Sequence, residues 1–184
     1  MKNIFTLIFF LIFGLGTIDA QDDNIVDHSM FGLEMQVYPT GLLPGIRYEK
    51  ILTNMSSINL RIAAQLINHR NLGKHDSEKG YGYGVSIAYR RFLSENNKKW
   101  SLAIRNDYWK NFITSINYPD DVTTVNSETT ISVIQPTLML EYAIKSGNFH
   151  IVPSLAVGFE WNVKTVGEPT GEGAIILLGC CIMM

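Results

Sequence analysis

Long apolar runs are scarce in this sequence. Beyond the first twenty residues no stretch approaches the ~20 apolar residues of a membrane-spanning helix, and no good helical period appears either. Cysteine is nearly absent. Cys180 and Cys181 are the only two, and adjacent cysteines bridge poorly, so no disulfide framework is encoded. They read as small apolar residues in a final strand. The four histidines are scattered without metal-ligand spacing. Charge is sparse and balanced, with 15 Lys and Arg against 17 Asp and Glu and a net charge of −2. Nothing in that balance asks for a nucleic-acid partner, and no residue pattern asks for a cofactor or a metal.

What is present begins with an export signature. Lys2 is followed by an almost wholly apolar run from Ile4 to Leu15, and Ala20 offers a small residue before Gln21. That order predicts a secretory signal peptide over 1–20. The polar, acidic segment 21–28 reads as a flexible lead-in. The remainder, 29–184, is one domain's worth of chain.

In that remainder, side chains alternate in kind. From Tyr81 to Arg90, Tyr81, Tyr83, Val85, Ile87 and Tyr89 interleave with Gly82, Gly84, Ser86, Ala88 and Arg90. Successive strand side chains point to opposite faces, so this is a strand with one greasy and one small or polar face. Similar alternation runs through Phe31–Val37, Ile46–Leu52, Ile58–Leu66, Trp100–Asp107, Ile131–Tyr142 and Leu155–Val163. The closing segment Ala174–Met184 is apolar on both parities. In 131–142 the parity changes near Gln135-Pro136, which predicts a β-bulge there. Turn chemistry falls at Tyr38–Gly45, Thr53–Ser57, Ser94–Lys98 and Lys145–Asn148. Polar loops are expected over Asn68–Gly80 and Ser115–Glu128, and a Gly/Pro-rich one over Val166–Gly173. Eight strands, most of about 9 to 12 residues, suit a membrane barrel better than a soluble sheet with strands of about 5 or 6. The expected fold is all-β, an eight-stranded antiparallel up-and-down transmembrane barrel.

Two features bear on which face meets lipid. By parity Glu34, Arg47, Glu49, Arg61, Arg90, Arg105, Asp107, Glu141 and Glu160 share the small, polar face, with Gln65. Charges of both signs on one face suit a lumen, where they nearly neutralise each other. Phe31, Tyr89, Trp100 and Tyr142 fall at one end of the strands, and Tyr81, Tyr83, Tyr108, Phe159 and Trp161 towards the other. Two such groups are the aromatic girdles expected at the two membrane interfaces. The small residues of 81–90 leave room in the lumen for larger neighbours such as Arg61 and Arg105.

With these strands in view, the chain resembles the small outer-membrane β-barrels of Gram-negative bacteria, of the OmpA-barrel or OmpX kind. Gly45-Ile46-Arg47-Tyr48-Glu49, a short turn, and Ser57-Ile58-Asn59-Leu60-Arg61 look like the hairpin recurrent in that family. Such barrels usually end on an aromatic residue; this chain ends on Met184. The resemblance implies contact with outer-membrane lipid or lipopolysaccharide, handling by the barrel assembly machinery, and a structural or surface-interaction role through loops 68–80 and 115–128. Eight strands enclose a lumen that side chains can fill, so no large pore is expected. Two other readings stay open. A secreted lipocalin-like barrel binding a small apolar ligand would place Ile62 and Tyr89 inside. A lipid A-modifying enzyme would bring His, Ser and an acid together at a rim, and His28-Ser29 and His150 are the residues nearest to that arrangement.

Overall fold

The computed structural model describes residues 29–39, 41–70, 75–95, 98–117, 125–168 and 171–184. The expected signal peptide and lead-in, with His28, lie outside the described residues. The strands are β1 (Ser29–Tyr38), β2 (Gly41–Thr53), β3 (Ser56–Arg70), β4 (Ser77–Phe92), β5 (Trp100–Asn117), β6 (Val125–Tyr142), β7 (Ile144–Ser146), β8 (Phe149–Val166) and β9 (Gly173–Met183). Each is antiparallel to its neighbours. β7 continues the line of β6 past Ala143, since both pair with β8. β1 pairs with β9 as well as β2, and β6 with β8. The sheet therefore closes on itself as a barrel of eight wall positions with no free edge. Phe31 and Met184 tighten the closure by exchanging backbone hydrogen bonds of 3.1 and 2.8 Å.

Ser29 and Met184 lie at one end, called here the near end, with the ends of β2, β4 and β7; β1, β3, β5 and β8 end at the other, the far end. Gly147 makes the tight β7–β8 turn at φ +60, a left-handed conformation that glycine adopts without strain.

The strands are longer than the sequence suggests. β3 runs to Arg70 and β4 begins at Ser77, so most of the expected loop Asn68–Gly80 is barrel wall. Likewise Ser115–Asn117 and Val125–Glu128 are strand rather than loop. The reason is that apolar alternation marks only the part of a strand that crosses lipid. An 18-residue strand rises roughly 45 Å at ~3.3 Å per residue and ~40° tilt, against an apolar band of ~25 Å. Along the far-end extensions the outward residues turn polar, at Lys79, Thr114, Asn126 and Glu128. The turn expected over Tyr38–Gly45 is also shorter: β2 begins at Gly41, with Pro44 opposite Met35 and Gly45 opposite Glu34.

The expected bulge at Gln135-Pro136 is absent. β6 keeps one register with β5 throughout, and Thr129, Ile131, Val133, Gln135, Thr137, Met139 and Glu141 all point inward. The register shift lies between β6 and β8, at Ser132/Val133, and the extra residue belongs to β8. The apparent parity change arose because Ile131 and Val133 are apolar and yet face the interior.

The two faces of the wall are inverted relative to a water-soluble barrel. Arg61 is 3% exposed and its neighbour Ile62 is 71% exposed. The same holds along β4, where Tyr81, Tyr83, Val85, Ile87 and Tyr89 are exposed and Ser86, Ala88 and Arg90 buried. An apolar belt of this extent is unstable in water. In a bilayer it is the solvated surface, and the closed barrel leaves no strand edge unpaired in lipid.

Candidate functional site

The interior is layered, and β5 shows the order. From the near end its inward residues are Ser101, Ala103, Arg105, Asp107, Trp109, Asn111, Ile113 and Ser115. Charge comes first and apolar bulk above it. The other walls add to the same layers.

The charged layer holds eight side chains, all buried. Arg47 reaches Glu34 at 3.3 Å, Glu49 at 3.5 Å and Glu141 at 2.9 Å. Arg61 reaches Glu34 at 2.5 Å and Asp107 at 3.4 Å. Arg90 pairs with Glu49 at 2.8 Å and Glu141 at 2.5 Å. Arg105 pairs with Glu34 at 3.1 Å and Asp107 at 3.0 Å. Four guanidiniums thus face four carboxylates, and the layer is electrically closed. Neutral groups add to it, although Arg61 Nε and Arg90 Nη2 keep no hydrogen-bond partner. Gln36 accepts from Arg61 and Arg105, Asn59 from Arg47, and the hydroxyls of Ser57 and Ser86 donate to Glu49 and Asp107. Burying this many charges is tolerable only because each finds opposite charge and hydrogen bonds. The ninth residue of the expected cluster, Glu160, lies elsewhere: it is half-buried and lines the far-end cavity.

Apolar layers lie on either side of the charges. At the near end Met30, Val152, Cys181 and Met183 pack together. Above the charges Leu43, Ile67, Trp109, Ile113, Ile131, Val133, Ile175 and Leu177 belong to one cluster. These inward apolar residues explain why β9 looks apolar on both parities: its outer face meets lipid and its inner face meets these clusters. Alternation alone could not find them, because an inward Ile is indistinguishable from an outward one in the sequence.

The glycines of β4 serve the upper cluster. Gly84 lies opposite Trp109 and Gly82 opposite Asn111, and a Cβ at either would collide with that partner. Trp109 uses the space to place its ring 5.4 Å from the Arg61 guanidinium, a cation–π contact. Of the small residues expected to leave room for Arg61 and Arg105, Ser86 lies opposite Arg61 and Ala88 opposite Arg105, while Gly82 and Gly84 make room for Asn111 and Trp109.

The girdle residues face outward. Phe31, Tyr81, Tyr83, Tyr89, Trp100, Tyr108, Phe159 and Trp161 are exposed, and Tyr142 is half-covered by Trp100 at a ring distance of 4.7 Å. Tyr48 joins Phe31 at 4.9 Å, and Phe112 joins Tyr81 at 5.2 Å; neither was among the expected girdle residues.

The far-end mouth opens into a cavity of about 210 Å³. The charged layer, by contrast, leaves a void of about 10 Å³. At the mouth His69 and Glu78 meet across β3 and β4, with Nε2 to Oε2 at 2.8 Å. The other histidine nitrogen, Nδ1, has no partner, so no serine is bonded to that ring. His150 lies on the near-end hairpin opposite Lys145. With Arg61 and Arg90 inside and Ile62 and Tyr89 outside, the lumen is not the apolar pocket of a lipocalin-like carrier.

No protein-family model matches the chain, and no curated protein matches it. Solved structures do. The chain is similar to a major outer membrane protein from Thermus thermophilus, at 13% identity and a TM-score of 0.52, over 86% of this chain and 100% of that one. It is also similar to Ail, the attachment invasion locus protein of Yersinia pestis, solved with the heparin analogue sucrose octasulfate. There the identity is 10% and the TM-score 0.50, over 85% of this chain and 96% of that one. At such identities the likeness is one of fold: the chain has the eight-stranded antiparallel barrel of small outer-membrane proteins.

Proposed function

We propose that this protein resides in the bacterial outer membrane and acts through its surface, as a structural or adhesive barrel, rather than as a channel or an enzyme. The observation that carries the reading is the filled interior. Four paired arginines and four carboxylates close the middle of the lumen, with apolar side chains packed above and below. A solute would have to break a buried ion-pair layer to pass. Outer-membrane lipid or lipopolysaccharide then solvates the apolar belt and girdles. The far-end extensions of β3 to β6 would then face outward from the cell, and the expected loops 68–80 and 115–128 would offer the surface for a partner. The barrel assembly machinery would insert the chain.

Two measurements test this. Cell fractionation should recover the protein in the outer membrane, with a mobility on unboiled gels that changes on heating; recovery from the soluble periplasm would overturn the reading. In planar bilayers the folded protein should give no steady conductance, and a persistent open state would refute the closed lumen.

A further inference from the structure

Two lysines stand side by side on the outer wall, at the level of the far-end girdle. Lys110 on β5 is opposite Ser132 on β6, and Ser132 is opposite Lys164 on β8. The lysines therefore flank one serine in a single row, their Cα atoms two strand spacings, or about 10 Å, apart. Lys164 is exposed and Lys110 half-exposed. Lys164 owes its place to the bulge in β8. Asn162 pairs with Val133 and Lys164 with Ser132, so Val163 is the extra residue. Without it Lys164 would share the parity of Glu160 and Asn162, which line the far-end mouth. The bulge turns it onto the outer wall, and Thr165, opposite Ile131, takes the inward place. Bulges re-aim side chains in this way. The neighbours fix the height of the row. Tyr83 is opposite Lys110, Tyr108 and Trp161 lie one row nearer the middle of the belt, and the Lys110 ammonium reaches up to the Phe112 ring at 5.7 Å. Such a girdle marks the depth at which a bilayer changes from chains to headgroups. None of the outward residues that border the row on β4, β5, β6 and β8 is acidic. Among the described residues neither ammonium has an ion-pair partner.

We infer that Lys110 and Lys164 together bind the phosphate monoester of a lipid headgroup, with the lipid's chains lying along the apolar wall below. Two ammoniums without a carboxylate complement a group that carries about −1.5 to −2 charges at neutral pH; a phosphodiester offers them only one. Each ammonium brings three N–H donors on a flexible stem, so both can close on one phosphate. Below the row Tyr108, Ile134 and Trp161, and then Leu138 and Val157, continue the apolar surface. A free phosphate meets only the lysines, whereas a lipid meets both parts. The inference rests on the reading that this belt lies in a membrane.

The test uses the full chain folded into phosphatidylcholine vesicles, with insertion checked by unboiled gel mobility. Lipids brominated on their chains quench a tryptophan that they touch. Trp161 lies one row below the lysines, Trp109 is buried, and Trp100→Phe at the near end leaves Trp161 as the outward reporter. Brominated phosphatidic acid, a monoester, is compared with brominated phosphatidylglycerol, a diester, and brominated phosphatidylcholine at pH 8. Phosphatidic acid should bind beside Trp161 at least about fivefold better than phosphatidylcholine and at least about twofold better than phosphatidylglycerol. Lys110→Gln and Lys164→Gln should each cut that preference several-fold, and Lys164→Arg should retain it. Lys50→Gln, on the near-end part of β2, should change nothing. Equal quenching by phosphatidic acid and phosphatidylcholine would overturn the inference. So would phosphatidylglycerol matching phosphatidic acid, or indifference to both glutamine substitutions. Loss of the preference in millimolar inorganic phosphate at constant ionic strength would overturn it too, since the lysines would then hold free phosphate. Failure of the chain to insert into the vesicles is a separate outcome, which would refute the membrane reading and the inference with it.

Discussion

Glu34 pairs with three arginines, where each other carboxylate of the charged layer pairs with two, and its neutralisation is the sharpest probe of that layer. Its two oxygens serve Arg61 at 2.5 Å, Arg105 at 3.1 Å and Arg47 at 3.3 Å. Glu34→Gln keeps the shape and removes one charge, so four arginines then face three carboxylates. Its NH₂ group, if turned towards the guanidiniums, would add a donor where only acceptors fit. Removing one partner of a buried ion pair costs about 3–5 kcal/mol, because the remaining charge is stranded away from water. The expected loss of unfolding free energy lies in that range. It is measured by urea titration in lipid vesicles, with tryptophan emission and gel mobility as independent signals. Glu160→Gln, outside the layer, should cost less than about 1 kcal/mol. Adding Arg105→Met to Glu34→Gln restores three against three, and the double variant should recover part of the loss, with a coupling of at least about 0.5 kcal/mol. A loss below about 1 kcal/mol in the single variant would refute the reasoning. So would a loss that vanishes in 1 M salt, where charges in water are screened within ~3 Å, because it would mean that the lumen is hydrated.

Two other substitutions test the faces of the wall. Ile62→Arg puts a charge on the apolar belt beside Ile46 and Val85. It should cost about 2–4 kcal/mol in vesicles, whereas Thr114→Arg on the far-end extension should cost no more than about 1 kcal/mol; equal, small effects would put Ile62 in water. Gly84→Ala drives a methyl against the Trp109 ring and should cost about 1–3 kcal/mol by overpacking. Trp109→Leu should relieve part of that cost in the double variant, and strict additivity would show that the two do not touch.

Much of the barrel was legible in the sequence because strand alternation is a local property with period 2. Tyr81–Arg90 needs no knowledge of its neighbours to show two unlike faces, and the assignment of Arg61, Arg90, Arg105 and Asp107 to one face follows from counting. Counting fails where both faces share a character. Ile131 and Val133 look like lipid residues and face inward; His69 and Glu78 look like loop residues and stand opposite one another on paired strands.

Alternation along the chain therefore determined the lipid-crossing part of most strands, their two faces and the near balance of charge on the inner one. Only the closed sheet decided which groups meet. Arg47 and Glu141 are 94 residues apart, and Trp109 fits because Gly84 lies opposite it in register. Those contacts depend on strand register and closure around the ring, which no local period encodes. The same geometry set Glu160 apart from the other charges and paired His69 with Glu78 at the far-end mouth.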